Sequence, residues 1–273
     1  MNIKINTNQK IELKKEELTL LITLYVKALD YRSKNSILND KTADDLVNSI
    51  DYDFEKLKKS GIGIIAVRAK QYDEWLLEFL TSNPDAVVVQ LGCGLDTRIT
   101  RINPPQSASW FDIDYPSVIN LREKFFSNQL GYTMIGSSIT SSDWLMEIPK
   151  DRPVIILADG VLEYLTENEV KSLFNRLTDY FIHGQIVFDV MNSFSINSGK
   201  SNLKETTGAE HKWAVNDIHK VDKLNSKFKR ITYLRLFGSK YIHKLPLNFR
   251  LIYGVLNLIP HFRNMICLLR YEF

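Results

Sequence analysis

Cysteine is scarce in this chain, which holds only Cys93 and Cys267 among its 273 residues. Two thiols so far apart do not make the disulfide framework of a small secreted domain, nor a zinc-type ligand set. The sequence therefore predicts no metal site. Cys93 lies between two glycines, and we interpret it as a small packing residue instead of a catalytic thiol.

A strong excess of charge and long hydrophobic runs are also lacking. The formal net charge is +3, without a dense run of Lys and Arg, so we expect no nucleic-acid partner. The first fifteen residues are polar and charged, which predicts no secretory signal. The most apolar stretches, 18–29 and 245–269, are short or interrupted by charged residues and proline. We therefore expect no spanning helix, no membrane partner and a cytoplasmic protein.

The most informative stretch that is present reads VVVQLGCGLDTR, at residues 87–98. Its β-branched, apolar start is too short for a helix and predicts a buried strand. The strand continues into Gly92-Cys93-Gly94, where the missing side chains allow a sharp turn and the close approach of a ligand. A strand that leads into a glycine turn is typical of the first ligand loop of a doubly wound α/β domain.

A second predicted strand supports this interpretation. Residues 108–114 read ASWFDID and end in Asp114, twenty residues after Gly94, where nucleotide-binding folds place the carboxylate that binds the ribose. Asp112 shares a strand face with Asp114 and is the alternative. We prefer Asp114 because it lies nearer the carboxyl edge of the sheet. A structural alternative is that Asp114 caps the helix that Pro116 opens.

The order of the predicted elements indicates the fold class. Strands are predicted at 86–91, 109–113, 132–136, 153–158 and 185–190. Helices are predicted at 15–33, from 39 or 40 to 47, and at 64–80, 97–102, 116–128 and 166–181. This alternation predicts an α/β fold with a mainly parallel sheet covered on both faces. Further on, we expect a polar loop or lid at 192–208, a helix at 217–226, a helical region at 239–260 and a strand pair at 230–237 and 264–273.

Three motifs carry a resemblance to a known family: LGCGLDTR (91–98), FDIDYPSVINLR (111–122) and ADGVLEYL (158–165). With them, the chain resembles the class I S-adenosylmethionine-dependent methyltransferases of the leucine carboxyl methyltransferase and polyketide O-methyltransferase group. The resemblance covers nearly the whole chain. It implies a Rossmann-like sheet, mostly parallel with an antiparallel last strand, and S-adenosylmethionine as cofactor. It also implies one domain over 1–273, with a helical cap (1–83), a cofactor-binding core (84–191) and a substrate-side insertion with the last strands (192–273).

The resemblance further implies how the cofactor is held. Arg68 would bind the cofactor carboxylate as a bidentate fork, and Asp159 would accept a hydrogen bond from its amino group. Two positions depart from the family pattern, because Asp159 replaces a usual glutamate and Ser138 replaces an acid that receives the adenine amine. Trp144 is either part of the adenine slot or a core residue. The predicted cofactor-binding residues are Arg68, Gly92, Cys93, Gly94, Asp114, Tyr115, Ser138, Ile139, Asp159 and Gly160.

On the acceptor side we predict two catalytic residues, Tyr164 and His211, that act on a small, polyketide-like metabolite. His211 is the candidate general base, and Tyr164 is either a phenol in the substrate site or a packing residue. The acceptor atom belongs to a carboxylate, a phenol or another hydroxyl. None of the five histidines lies in a recognisable acid–base motif, which favours a carboxylate because it needs no base. We expect an apolar acceptor pocket walled by Phe194, Trp213, Tyr241 and Phe249.

Three alternative functions stay open. The family also methylates a protein C-terminus, which requires an open groove. A nicotinamide dehydrogenase uses the same kind of sheet, although Thr97 stands where the dinucleotide fingerprint has its third glycine. A non-catalytic relative that only binds the cofactor is the third alternative, because fold alone does not determine activity.

Overall fold

Short runs of β-branched and aliphatic residues form the strands of one mixed sheet. The structure is a computed structural model that describes residues 18–57, 63–198, 204 and 208–273. Seven strands of these residues lie in the order β3-β2-β1-β4-β5-β7-β6. They are β1 (Val87–Leu91), β2 (Ser109–Asp114), β3 (Tyr132–Gly136), β4 (Val154–Ala158), β5 (Gly184–Met191), β6 (Lys229–Arg235) and β7 (Ile266–Glu272).

Strand directions confirm the predicted α/β fold. Strands β1 to β5 pair in parallel, and β7 lies antiparallel to both β5 and β6. Among the described strands, β7 is thus the one that runs against the others. The carboxyl ends of β1, β2 and β4 lie side by side, because Leu91 pairs with both Ile113 and Ala158. The polar residues that follow these strands are consequently brought to one edge of the sheet.

The helices of the described residues cover both faces of the sheet. They are α1 (Leu18–Tyr31), α2 (Lys41–Ser49), α3 (Ile64–Ser82), α4 (Arg98–Ile102), α5 (Pro116–Arg122), α6 (Glu167–Tyr180), α7 (Leu247–Leu258) and α8 (Pro260–Arg263). Val88 of β1 packs in the cluster that includes α1, α2 and α3, whereas Val87 and Val89 pack in the cluster that includes α6. This alternation follows from the two-residue period of a strand.

Two helix ends agree with the capping residues in the sequence. The Asp40 carboxylate accepts a hydrogen bond from the Ala43 amide and caps α2. Thr166 and Glu169 form a reciprocal capping box at the start of α6. Both caps satisfy amides that have no partner within the helix.

Several predicted elements need correction. Helix α5 ends at Arg122 and not near residue 128, and the stretch predicted as a helix at 217–226 is a 3-10 helix, Ile218–Lys223. The region 239–260 is divided into a 3-10 helix (Lys240–Lys244) and α7. Part of the predicted loop is helical, at 193–198. Residues 15–17 of the first predicted helix, and 199–203 and 205–207 of the predicted loop, lie outside the described residues.

Candidate active site

A cavity of about 340 Å³ opens at the carboxyl edge of the sheet. Helices α1 and α3 form one wall, and the segments that follow β1 and β4 form another. Later parts of the chain close it with His211, Leu236 and Ile266. Eight of the twelve predicted site residues line this cavity: Arg68, Gly92, Cys93, Gly94, Asp159, Gly160, Tyr164 and His211.

The glycine turn after β1 has the conformation that its sequence predicts. Gly92 and Gly94 have φ values of +61° and +50°, which side chains disfavour. A Cβ on Gly92 would lie 2.5 Å from Val161 Cγ2, so the turn admits no larger residue there. Between them Cys93 is buried, and burial raises the pKa of its thiol well above the usual range. Cys93 is therefore held as a neutral thiol, which agrees with a packing role and not with a nucleophile.

Asp114 connects the end of β2 to the glycine turn. Its Oδ2 accepts a hydrogen bond from the Gly94 amide at 2.8 Å, and its Oδ1 accepts one from the Tyr115 amide at 2.8 Å. Burial raises the pKa of this carboxyl to about 6. Each oxygen keeps one further lone pair for a ligand. Tyr115, and not Asp114, is the N-cap residue of α5, so the helix-cap alternative does not describe Asp114.

The rival carboxylate, Asp112, is fully engaged inside the protein. It accepts hydrogen bonds from Trp110 Nε1 at 2.9 Å and from the Tyr132 hydroxyl at 2.7 Å, and it pairs with Arg122 at 2.6 Å. Its side chain is completely buried. Two of the three partners contact Oδ2, and complete burial keeps the remaining lone pair of Oδ1 away from a ribose.

Arg68 and Asp159, predicted to contact opposite ends of one ligand group, lie against each other. Arg68 Nε is 2.7 Å from Asp159 Oδ1, and Arg68 Nη1 donates to Asp189 Oδ2 at 2.9 Å. The first contact is an ion pair without hydrogen-bond geometry, because neither of its two atoms has a hydrogen-bond partner. The Gly160 amide donates to the second oxygen of Asp189 at 2.7 Å. A Cβ on Gly160 would lie 2.6 Å from Arg68 Nη2, so glycine is required beside this guanidinium.

Behind this pair lies a buried ion network that sequence reasoning missed. Arg98 is completely buried and donates to Asp73 at 2.8 Å and to Asp159 at 2.7 Å. Asp96 pairs with both Arg98, at 3.0 Å, and Lys27 of α1, at 2.9 Å. Asp96 and Arg98 belong to the motif LGCGLDTR, so the sequence contained a signal for these two residues. Their partners Lys27 and Asp73 come from α1 and α3, and no local pattern reveals these pairings.

Glu163 is a second residue that sequence reasoning missed. It lies in the 3-10 helix Leu162–Tyr164 after β4, lines the cavity and is 3% exposed. Its Oε2 is buried without a hydrogen-bond partner among the described residues. Burial, together with the charge of nearby Asp189, raises the pKa of this carboxyl to about 8, although Arg68 opposes the shift. Glu163 is consequently protonated in most molecules at neutral pH.

His211 and Tyr164 meet at the same wall of the cavity. Their ring centroids are 5.0 Å apart. His211 Nδ1 is buried and has no hydrogen-bond partner in the described part of the chain. Burial lowers the pKa of the imidazole, which is therefore neutral at pH 7. The segment is held in place because the amides of Lys212 and Trp213 donate to the Glu163 carbonyl at 2.7 and 3.3 Å.

The remaining predicted cofactor contacts lie beside the cavity and not in its wall. Asp114, Tyr115, Ser138 and Ile139 are absent from the lining. Ser138 Oγ is 2.8 Å from Thr140 Oγ1, and Ile139 is buried. Trp144 is 1% exposed and packs in the core on the α6 side. The core alternative for Trp144 is thus the correct one.

The predicted aromatic wall of the acceptor pocket is wrong. Phe194, Trp213, Tyr241 and Phe249 do not line the cavity. Trp213 and Tyr241 are buried in the two cores, and Phe194 is exposed and packs on Phe262. The apolar walls come instead from aliphatic side chains, among them Leu20, Ile22, Ile65, Leu236 and Ile266.

Comparison with known proteins identifies the family of this chain. The family model described as leucine carboxyl methyltransferase matches residues 21–178. The chain belongs to this family. It is 38% identical over 200 residues to the tetracenomycin polyketide synthesis O-methyltransferase TcmP of Streptomyces glaucescens, covering 72% of this chain and 74% of that protein.

Two further comparisons agree with this membership. An S-adenosyl-L-methionine-dependent methyltransferase of Gibberella zeae is 32% identical over 237 residues, covering 78% of this chain and 80% of that protein. A crystal structure of a methyltransferase from Thermobifida fusca superimposes with a TM-score of 0.55 at 13% identity, over 76% of this chain and 80% of that one. The structural likeness shows the Rossmann-like fold.

The predicted family, enzyme class and cofactor are therefore confirmed. The protein is an S-adenosylmethionine-dependent methyltransferase, and the dehydrogenase alternative is set aside. The residues at the carboxyl edge fit that cofactor, because three glycines keep the turns around the cavity free of side chains. Arg68, Asp159 and Glu163 line the same space, and Glu163 Oε2 has no hydrogen-bond partner among the described residues.

Proposed function

We propose that this methyltransferase methylates an oxygen atom of a small, largely apolar, polyketide-like metabolite. The name of the 38% identical relative, a polyketide synthesis O-methyltransferase, supports the substrate class. The aliphatic walls of the cavity support it as well, because apolar walls with few polar groups are typical of small-molecule sites. We also propose that 1–83 and 192–273 supply the acceptor side, since Leu20 of α1, Leu236 after β6 and Ile266 of β7 line the cavity.

In this proposal, the paired charges of Arg68 and Asp159 bind the amino-acid end of the cofactor. A guanidinium and a carboxylate 2.7 Å apart match a ligand group that carries one carboxylate and one ammonium at neighbouring atoms. Asp114 accepts hydrogen bonds from the ribose hydroxyls through its remaining lone pairs. When bound, S-adenosylmethionine supplies a methyl group activated by a sulfonium.

The observation that supports a hydroxyl acceptor is the pair of orphaned atoms at one wall. His211 Nδ1 and Glu163 Oε2 are both buried without partners among the described residues, which is costly unless a ligand satisfies them. A neutral imidazole takes the proton of an acceptor hydroxyl, and a protonated Glu163 donates a hydrogen bond to a neighbouring oxygen of the acceptor. The nearby Asp159, whose pKa lies below its ordinary value, is ionised and disfavours an acceptor that enters as a carboxylate.

A labelling experiment with aromatic hydroxy acids tests the acceptor atom. Methyl-labelled S-adenosylmethionine is incubated with the protein and a set of hydroxynaphthoic and hydroxyanthraquinone carboxylic acids, and the products are treated with mild alkali. We expect alkali-stable label, because an aryl methyl ether survives and a methyl ester does not. Alkali-labile label would assign the methyl group to a carboxylate.

Two matched variants identify the base. His211→Gln should lower kcat by about 10²- to 10⁴-fold, the usual contribution of a general base, without changing cofactor affinity. Tyr164→Phe, which keeps the ring packed against His211, separates the phenol from the packing role of Tyr164. No labelled product from any acceptor, with cofactor binding intact, would favour the non-catalytic relative.

A further inference from the structure

Helix α7 packs on the protein body through one face only. Its inner aromatic side chains, Phe249 and Tyr253, stack on each other at 6.2 Å, and Tyr253 stacks on Phe237 at 5.0 Å. Phe237 belongs to the 3-10 helix Leu236–Gly238, whose Leu236 lines the cavity. The helix therefore lies directly outside the cavity wall.

The outer face of α7 is aliphatic and exposed. Leu251, Val255 and Leu258 are 63%, 60% and 78% exposed. We call the outer face the α7 patch, and it consists of Leu247, Leu251, Ile252, Val255, Leu258 and Ile259. At 100° per residue these six positions fall within one arc of about 140° of the helix, which also contains the exposed Asn248. No residue of α7 is buried, although an aliphatic helix face of this size normally packs against a core or lipid.

The sequence segment that contains the α7 patch carries cations and no acids of its own. Between Asp222 and Glu272 the sequence contains ten Lys and Arg residues and no Asp or Glu. Lys244 precedes the helix, Arg250 flanks the patch and Arg263 follows on α8. In the described part of the chain, these three cations take part in no ion pair, whereas Lys240 and Arg270 are paired with Glu74 and Glu78 of α3.

We propose that the α7 patch lies in the interface of an anionic lipid bilayer, with Lys244, Arg250 and Arg263 at the headgroups. An aliphatic arc flanked by cations is the pattern of helices that lie on a membrane surface. Such surface binding differs from spanning the membrane, and no helix of the described residues has the length and apolarity to cross a bilayer. Docking to lipid goes beyond the proposed methylation and does not depend on it. One consequence of docking does rest on the proposed function: an apolar acceptor would enter the cavity from the lipid, past Leu236.

Lipid explains the α7 patch better than a protein partner does. Protein interfaces concentrate binding energy in Trp, Tyr and Arg side chains, whereas the patch contains only Leu, Ile and Val. A second copy of the chain would pair this face with itself in a twofold dimer. That pairing would bring Lys244, Arg250 and Arg263 of both copies together, which like-charge repulsion disfavours.

Vesicle flotation tests the proposal with the full chain. The wild type should float with vesicles of phosphatidylcholine and phosphatidylglycerol, bind vesicles of phosphatidylcholine alone less, and release from the anionic vesicles as salt rises. The variant L251Q/V255Q removes apolar area and keeps residues that favour helix. We expect its binding to weaken by about tenfold or more.

Matched variants separate the patch from general surface effects. L130Q/I182Q removes two exposed apolar residues far from α7 in the sequence, where Leu130 and Ile182 are 104% and 75% exposed, and it should bind like the wild type. Arg250→Glu leaves the aliphatic arc intact and should reduce binding to anionic vesicles only. Cofactor titration of each variant verifies the fold.

Three results would overturn docking to lipid. They are a wild type that stays unbound to both vesicle types, an equal loss of binding in L130Q/I182Q, and a dimer in light scattering that L251Q/V255Q dissociates while vesicles bind neither protein. The last result would assign the α7 patch to a second copy of the chain. If an acidic polypeptide bound the α7 patch and the vesicles did not, a partner protein would be indicated instead.

Discussion

Folding and the proposed ribose binding favour opposite protonation states of Asp114. Burial raises its pKa to about 6, so the folded protein favours the neutral acid more than the unfolded chain does. Binding two ribose hydroxyls, as proposed, favours the ionised carboxylate. The contribution of Asp114 to stability is thus present below its unfolded pKa and is lost as the pH rises through about 6, whereas its contribution to binding is gained over the same range.

We predict that cofactor affinity falls as the pH is lowered through about 6 and that Asp114→Asn removes most of this dependence. Asparagine keeps one acceptor oxygen but lacks the charge, so affinity at pH 7.5 should fall by about tenfold or more. Calorimetric titration across this pH range measures both effects. Asp53→Asn, an exposed carboxylate outside the site, is the control. A collapse of thermal stability in Asp114→Asn that matches the loss of affinity would show a structural role instead.

Glu163 should make the protein less stable as the pH rises from about 4.5 to about 8. Its folded pKa of about 8 is raised above the unfolded value, so its contribution to stability is present below about pH 4.5 and is lost progressively up to about pH 8. Glu163→Gln is uncharged throughout. The variant should gain stability over the wild type by up to about 1.4 kcal/mol per pH unit in that window.

Urea unfolding of the two proteins at several pH values measures this difference. The same substitution should flatten the alkaline decline of activity, because the amide keeps a hydrogen-bond donor. A constant stability difference at all pH values would mean that Glu163 does not ionise within this window. Sequence reasoning passed over Glu163 in ADGVLEYL because its pKa depends on Asp189 and burial, which come from other elements.

At the scale of elements, the strands were predictable and several helix ends were not. The apolar runs that form β1, β2 and β4 are bounded by glycine, proline or acids, so their ends follow from local sequence. Helix α5 ends at Arg122, and no glycine or proline in the following residues marks this end in the sequence. The region 239–260 is divided at Pro246, which precedes α7.

The capping box of α6 provides a prediction independent of the site. Thr166→Ala removes the side chain that accepts from the Glu169 amide and should lower the free energy of unfolding by about 1 kcal/mol. Asn168→Ala in the same turn is the control and should change it by less than about 0.5 kcal/mol. Chemical denaturation measures both, and cofactor affinity should stay constant. Equal effects of the two substitutions would contradict the cap.

Across the whole molecule, the buried ion network joins the N-terminal helices to the edge of the sheet. Lys27 of α1 pairs with Asp96, Asp40 before α2 pairs with Arg101, and Asp73 of α3 pairs with Arg98. The motif LGCGLDTR was recognised as a unit and carried the resemblance to the family, while the fold class followed from the alternation of strands and helices. The network itself could not be predicted, because its partners lie tens of residues apart and none is marked by a local pattern.

Arg98 is the centre of this network, so its removal should affect the entire fold. Arg98→Met leaves Asp73, Asp96 and Asp159 without a buried cation that all three share. Breaking such a cluster should cost about 3–5 kcal/mol of the free energy of unfolding. Thermal and urea unfolding measure the loss, with exposed Arg32→Met as control. An unchanged stability would show that the network does not hold the helices to the sheet.

The carboxyl edge of this sheet is the proposed S-adenosylmethionine site. Isothermal titration of the wild-type protein with S-adenosylmethionine, and separately with NAD, tests this assignment. We predict saturable heat with a micromolar dissociation constant for the methyl donor and none for NAD. A folded sample that gives no heat with S-adenosylmethionine, or equal heat with NAD, would contradict the assignment.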